Sequence, residues 1–168
     1  MIPFPLFTPA RVLLAGIAVS CVALPAVRAA ESVTAAATPL REYREYPSTS
    51  HPSLRLFARF GCAGPAGVLL VKMHGWHGQV KAPHRDNIPD LTERGFFVIE
   101  PEMRGRGDAT GTPDCSGWEL QDVVDAVVFA RRHYGDLISS PEIVFLSGGS
   151  GGGGNAYALV SKFPDFFT

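Results

Sequence analysis

Apolar positions along the chain form three short, nearly continuous runs and one longer stripe at helical spacing. The runs are Gly67 to Met73, Phe96 to Ile99 and Glu142 to Leu146. Each is short and rich in β-branched or aromatic residues, and each reads as a buried strand. The first is nearly unbroken, which marks a central parallel strand. Ahead of them, Ser53 to Phe60 alternates, with Leu54, Leu56, Ala58 and Phe60 set against Arg55, Phe57 and Arg59. That spacing predicts a half-exposed strand. Leu40 to Tyr46 is a possible first strand with a solvated edge. The stripe is Leu120, Val123, Val124, Val127 and Val128, recurring as one face of an amphipathic helix does. Asp122, Asp125, Arg131 and Arg132 fall off that face, the acids early and the bases late, as the helix dipole prefers. Ser116-Gly117-Trp118-Glu119 has the form of a capping box at the start of this helix. A shorter helix is expected between the first two runs, with Asn87 as its cap, Pro89 in its first turn and Gly95 at its end. Strands that alternate with helices predict an α/β fold with a mostly parallel sheet and flanking helices.

The chemistry concentrates after the third run. Gly148-Gly149-Ser150-Gly151-Gly152 places a serine between a strand and the helix expected over Ala156 to Phe163. Strand, tight turn with a central serine, then helix is the setting of a nucleophile elbow, in which only small neighbours fit around a strained serine. Ser150 is the candidate nucleophile, and Gly148, Gly149 and Gly152 are the candidate elbow glycines. A second reading stays open here. Gly149 to Gly154 also fits G-x-G-x-x-G, a phosphate cradle at a helix start. A Gly-Lys-Ser/Thr sequence is missing, which excludes a P-loop.

Composition narrows the function classes. The chain has 15 Lys and Arg against 16 Asp and Glu, a formal net charge of −1. This balance speaks against nucleic acid and against polybasic membrane binding. Residues 1–30 have the form of an export signal: Arg11, an apolar run from Val12 to Leu24, the breaker Pro25, and small residues near Ala29. The run falls short of the ~20 residues a membrane span requires, so no stable span is expected once the signal is cleaved. The expected location is periplasmic or extracellular. Residues 31–52 read as a leader with the possible first strand, and 53–168 as the catalytic domain. Cys62 and Cys115 are not in a zinc-type spacing. They are expected at opposite ends of the sheet, about 20 Å apart for a strand of ~6 residues. That is beyond the ~7 Å Cα separation a disulfide allows, so no bond is predicted between them.

The order of parts resembles the α/β-hydrolase superfamily over about residues 53–168. Three motifs carry the resemblance, each at the end of a predicted strand: His74-Gly75-Trp76-His77-Gly78, Arg104-Gly105-Arg106-Gly107 and Gly148-Gly149-Ser150-Gly151-Gly152. Within the superfamily the chain looks most like prolyl-oligopeptidase-type domains and the related acetyl xylan esterases and dienelactone hydrolases. The resemblance implies an exported serine hydrolase that cleaves a peptide or ester bond through an acyl-enzyme on Ser150. Its substrate would be a peptide or an acylated small molecule or carbohydrate, and no cofactor or metal is implied. The backbone N–H groups of Gly151 and Trp76 would form the oxyanion hole. The Trp76 indole would either wall the substrate pocket or simply pack. Two alternatives are a carbohydrate-directed acetyl esterase of the same fold and a non-catalytic or nucleotide-binding module.

In this superfamily the triad runs serine, acid, histidine along the chain. Here Thr168 follows closely on the serine helix, so the expectation is of the N-terminal part of the fold, with the acid and histidine missing. Upstream, His77 and His84 lie in the loop region that could approach Ser150. His74 is expected to be structural, His133 stands at the far end of the long helix, and His51 lies in a turn.

Overall fold

The structure, a computed structural model, describes residues 38–81 and 88–167. The segment expected to be an export signal, Asn87 and His84 lie outside the described residues. The elements in order are β1 (Leu40–Pro47), β2 (Arg55–Cys62), β3 (Val68–Met73), α1 (Ile88–Glu93), β4 (Phe96–Pro101), α2 (Trp118–His133), a 3-10 turn (Gly135–Leu137), β5 (Val144–Gly148) and α3 (Gly151–Lys162).

The strands form one mixed sheet in the order β1-β2-β4-β3-β5. β3 pairs in parallel with β4 and with β5. β2 runs antiparallel to both β1 and β4, so four of the five strands point the same way. β4 crosses back beside β3, and β5 lies on β3's other side. The C-terminal ends of β3 and β5 are thereby adjacent, with Met73 paired to Gly148. Period-two alternation sends Leu56, Ala58 and Phe60 of β2, Leu69 and Val71 of β3, and Phe97 and Ile99 of β4 into one core, where each is 0% exposed. α2 packs on β1, β2 and β4, and α3 packs on β5 and β3 and touches α2. Gly61, whose side of the sheet is opposite to that of Phe60, lies against Ile88 of α1: a Cβ there would be 2.6 Å from the isoleucine Cγ2. Helices therefore cover both faces.

Two expectations for α2 are corrected. Ser116 does not cap the helix. The N-cap is Gly117, and Asp114 supplies the oxygens, accepting from the N–H groups of Trp118 at 2.5 Å and Glu119 at 3.2 Å. Glu119 returns the bond by accepting from the Asp114 N–H at 3.2 Å, so the reciprocal logic of a capping box survives with a different leading residue. The Ser116 hydroxyl turns instead to Asn155 of α3. The second correction concerns the helix faces. Asp122 and Asp125 are buried, whereas Val128 is 40% exposed. Partners from distant segments close over the two acids. Arg104 grips Asp122, and the backbone N–H and hydroxyl of Thr49 donate to Asp125, both at 2.7 Å.

Cys62 and Cys115 are both free thiols, Cys62 buried and Cys115 exposed. Cys62 Sγ donates to the Gly64 carbonyl. Cys115 sits in the turn before α2, beside Ser116, which bonds Asn155 of α3.

Candidate active site

The end of β5 and the start of α3 are separated by Gly149 and Ser150 alone. Ser150 takes φ 54° and ψ −125°, a backbone conformation that costs a non-glycine residue roughly 1–3 kcal/mol and persists only where the surroundings enforce it. Those surroundings are backbone packed on backbone. A Cβ at Gly152 would lie 2.4 Å from the Met73 carbonyl oxygen and 2.6 Å from that of His74. A Cβ at Gly148 would lie 2.4 Å from the Gly152 carbonyl carbon. These two glycines let the first turn of α3 rest on the end of β3. Gly149 is different: a Cβ there would meet nothing within 4 Å, and it lacks the positive φ that favours glycine. Of the three candidate elbow glycines, two are sterically required. Gly151 to Gly154 lie within α3 rather than in an open loop, which removes the loop that a phosphate cradle needs.

The loop after β3 faces this turn. A Cβ on Gly75 would stand 3.6 Å from Ser150 Cβ and 4.0 Å from its Oγ. The Trp76 indole lies flush on Gly151, whose Cβ would be 2.2 Å from the indole Cδ1. The indole is therefore seated on the helix start and is absent from the cleft that contains Ser150. Gly151 N–H, the first of α3, and Trp76 N–H donate to no partner among the described residues. Helix geometry leaves the former free.

His74 shapes the loop and is engaged at both ring nitrogens. Its Nε2 accepts from the Met103 N–H at 3.3 Å, so its Nδ1 carries the proton and donates to the Gly75 carbonyl at 2.7 Å. Burial lowers its pKa from the ordinary 6.5 by disfavouring the charged ring. It is a neutral strut with no nitrogen left for Ser150. Among the described residues the Ser150 hydroxyl has no side-chain hydrogen-bond partner. His77 is exposed. His51 packs edge-on to Trp118, and His133 stacks on Phe129 and bonds its carbonyl.

An open cleft of about 380 Å³ over the strand ends is lined by Ser150, Gly149, Gly75, His74 and Met73, together with Lys72, Gln79, Val80 and Glu100. Its charged part was not legible as a site in the sequence. Glu100, 5% exposed, accepts from Lys72 Nζ and, at 3.2 Å, from Arg59 Nη1. Arg59 Nη2 also donates to the Val80 carbonyl at 2.5 Å. Glu102, fully buried, accepts the Val80 N–H at 2.8 Å, and burial raises its carboxyl pKa above the usual value. Val80 is thus held at both backbone groups by side chains from β2 and the end of β4, which fixes the loop that borders the cleft. Asn155, buried on α3, was also missed. Its signal was a polar residue on the helix face that carries Gly151, Gly152 and Leu159. Among the described residues no three His, Cys, Asp or Glu side chains gather as metal ligands. No helix among them is long and apolar enough to cross a membrane.

Comparison with known proteins points one way. A family model for the alpha/beta hydrolase fold matches residues 68–168. No curated protein matches the chain. Among solved structures, the esterase Pf2001 of Pyrococcus furiosus aligns with TM-score 0.63 and 18% identity, covering 76% of this chain and 49% of that one. The 2-hydroxy-6-oxo-6-phenylhexa-2,4-dienoate hydrolase BphD of Rhodococcus sp. strain RHA1 aligns with TM-score 0.58 and 24% identity, covering 77% and 44%. A Vigna radiata epoxide hydrolase aligns with TM-score 0.56 and 19% identity, covering 76% and 36%. The chain spans half or less of the length of these three proteins. At these identities the likeness speaks to fold alone, and it agrees with the sheet order and the strand–turn–helix around Ser150. With the family model covering more than half of its residues, the chain belongs to the alpha/beta hydrolase fold family.

Proposed function

We propose that this chain carries the nucleophile of an exported serine hydrolase that cleaves a peptide or ester bond through an acyl-enzyme. The observation that carries the reading is the strained Ser150, φ 54°, at the open end of a cleft. In the reaction Ser150 Oγ attacks the substrate carbonyl carbon, and the hydroxyl proton passes to a base. The oxyanion is held by the N–H groups of Gly151 and Trp76, each worth about 3 kcal/mol of barrier lowering. The tetrahedral intermediate collapses, the leaving group takes the proton, and water then hydrolyses the acyl-serine by the same steps. His74 is excluded as the base because both of its nitrogens are occupied.

Gly-Gly-Ser-Gly-Gly at 148–152 favours a prolyl-oligopeptidase-like peptidase. His-Gly-Trp-His-Gly at 74–78 favours a carbohydrate-directed acetyl esterase, and this is the second reading. Peptide or acylated-carbohydrate substrates in a periplasmic or extracellular setting fit the leader and the net charge of −1.

A fluorophosphonate probe on the full-length protein tests the proposal. Covalent labelling mapped to Ser150 and lost in Ser150→Ala is the expected result. No labelling, together with a dinucleotide that raises the melting temperature, would overturn it. Comparing turnover of acetylated xylose with that of a proline-containing peptide anilide then separates the two substrate readings.

A further inference from the structure

Asn155 is 0% exposed and lies one helical turn beyond Gly151, on the same face of α3. Its amide is used at both ends. Oδ1 accepts from Ser116 Oγ at 2.8 Å. Nδ2 donates to Glu119 Oε2 at 3.3 Å and approaches Met103 Sδ at 3.8 Å. Each contact leads to a different part of the site. Met103 continues through its N–H to His74 Nε2 and so to the Gly75–Trp76 loop. Glu119 and Asp114 exchange backbone bonds at the head of α2. Ser116 belongs to a turn in which two consecutive non-glycine residues are left-handed, Cys115 at φ 49° and Ser116 at φ 78°. Such residues persist only where neighbours over-determine them, and the Ser116–Asn155 bond is the tether that joins this turn to α3.

We propose that Asn155 is a positioning residue. It holds the N-terminal turn of α3 in register with the Gly75–Trp76 loop and couples both to the strained Asp114–Gly117 turn. The inference rests on the reading of Ser150 as nucleophile and of Gly151 and Trp76 as oxyanion donors. Those donors come from two separate segments, and a helix free to rotate or slide would carry Gly151 away from Trp76. Misplacement by about 1 Å can lower a rate by ~100-fold. A buried amide with both ends bonded resists such motion more specifically than apolar packing does.

The test measures inactivation by a fluorophosphonate in the full-length protein, separating the binding constant from the rate of covalent capture. Asn155→Leu is expected to lower the capture rate by ~10- to 100-fold with the binding constant retained. Ser116→Ala, the milder variant, moves the rate in the same direction. Asn155→Asp paired with Glu119→Gln exchanges the donor and acceptor ends of one bond and leaves the Ser116 and Asp114 bonds in place, so it restores the rate that Asn155→Asp alone loses. Leu159→Ala, on the same helix and equally buried, lowers the melting temperature without changing the capture rate. An unchanged rate in both Asn155→Leu and Ser116→Ala, or failure of the exchanged pair to rescue, overturns the inference. If the parent protein is not labelled at all, the nucleophile reading fails, and amide hydrogen exchange decides for Asn155. Faster exchange at Gly75, Trp76 and Gly151 in Asn155→Leu but not in Leu159→Ala supports it, and equal exchange overturns it.

Discussion

Arg104 and Asp122 close on each other in the interior: the arginine Nε and Nη2 donate to the two carboxylate oxygens at 2.7 and 2.6 Å, and the residues are 4% and 1% exposed. The pair ties the turn after β4 to the middle of α2, and Arg104 Nη2 also reaches the Trp118 carbonyl at 3.3 Å. The carboxylate holds the guanidinium charged, above its ordinary pKa. Removing one partner of a buried pair strands the other charge, which costs about 3–5 kcal/mol, whereas replacing both with apolar residues can be neutral. Asp122→Asn is therefore expected to lower the unfolding free energy by roughly that amount. Arg104→Met with Asp122→Leu should lower it by less. Urea melts of the single and double variants check this, and a double variant worse than the single would show that the pair stabilises the fold outright.

This pair also marks the boundary of what the sequence discloses. Strand positions follow from period two and from the apolar runs, because burial of one sheet face imposes that spacing directly. The elbow follows from its glycines, because Gly148 and Gly152 answer a steric demand only glycine meets. The faces of α2 do not follow. Asp122 and Asp125 fall off the apolar stripe, and they become interior only because Arg104 and Thr49 arrive from distant segments. The same holds for Ser116, which suits a cap by local sequence and is drawn to Asn155 across a gap of 39 positions. Polar side chains with tertiary partners leave no periodic trace, and the charged lining of the cleft was hidden for that reason.

His74 should make stability fall in acid. Its folded-state pKa is lowered from 6.5 by burial. Below pH 6.5 the unfolded chain therefore binds a proton that the folded chain does not, and stability rises with pH wherever the unfolded state holds more protons. The contribution is fully present above about pH 6.5 and is lost as pH falls through the lower folded value. Thermal melts from pH 7.5 to 5 are expected to show this slope, and His74→Gln should flatten it. A parent and variant with parallel pH curves would contradict the neutral-strut assignment.

Glycines 151 and 152 are neighbours with opposite tolerance. A methyl at Gly152 meets the backbone oxygens of Met73 and His74, and neither can withdraw without moving β3. The atoms nearest a methyl at Gly151 all belong to the Trp76 indole, a side chain that is 44% exposed and has solvent on one side into which it can shift. Gly152→Ala is thus expected to destabilise by about 1–3 kcal/mol or more, as overpacking does. Gly151→Ala should leave the melting temperature nearly unchanged while displacing the indole. With Trp118→Phe as background, Trp76 is the remaining tryptophan of this sequence, and under selective tryptophan excitation Gly151→Ala should red-shift its emission. An unshifted spectrum would place the indole elsewhere.

The last prediction concerns the edge of the sheet. β5 pairs with β3 on one side and, among the described residues, with no strand on the other. Ile143 and Phe145 are 40% and 52% exposed there, and Tyr157 and Val160 of α3 are 78% and 41% exposed. An open, apolar edge offers unpaired N–H and C=O groups to another chain, and each large apolar side chain left in water forgoes about 1.5–3 kcal/mol of burial. Domains are stable by only ~5–15 kcal/mol, so a few such side chains matter. Residues 31–168 prepared alone are expected to self-associate and to hydrolyse p-nitrophenyl acetate no faster than Ser150→Ala. Sedimentation velocity should show oligomers that shift toward monomer in Phe145→Lys, which places a charge on the edge without touching the core face of the sheet. A monodisperse parent with Ser150-dependent turnover would mean that the edge is already satisfied, and that a histidine of this chain, His77 or His84, takes the Ser150 proton.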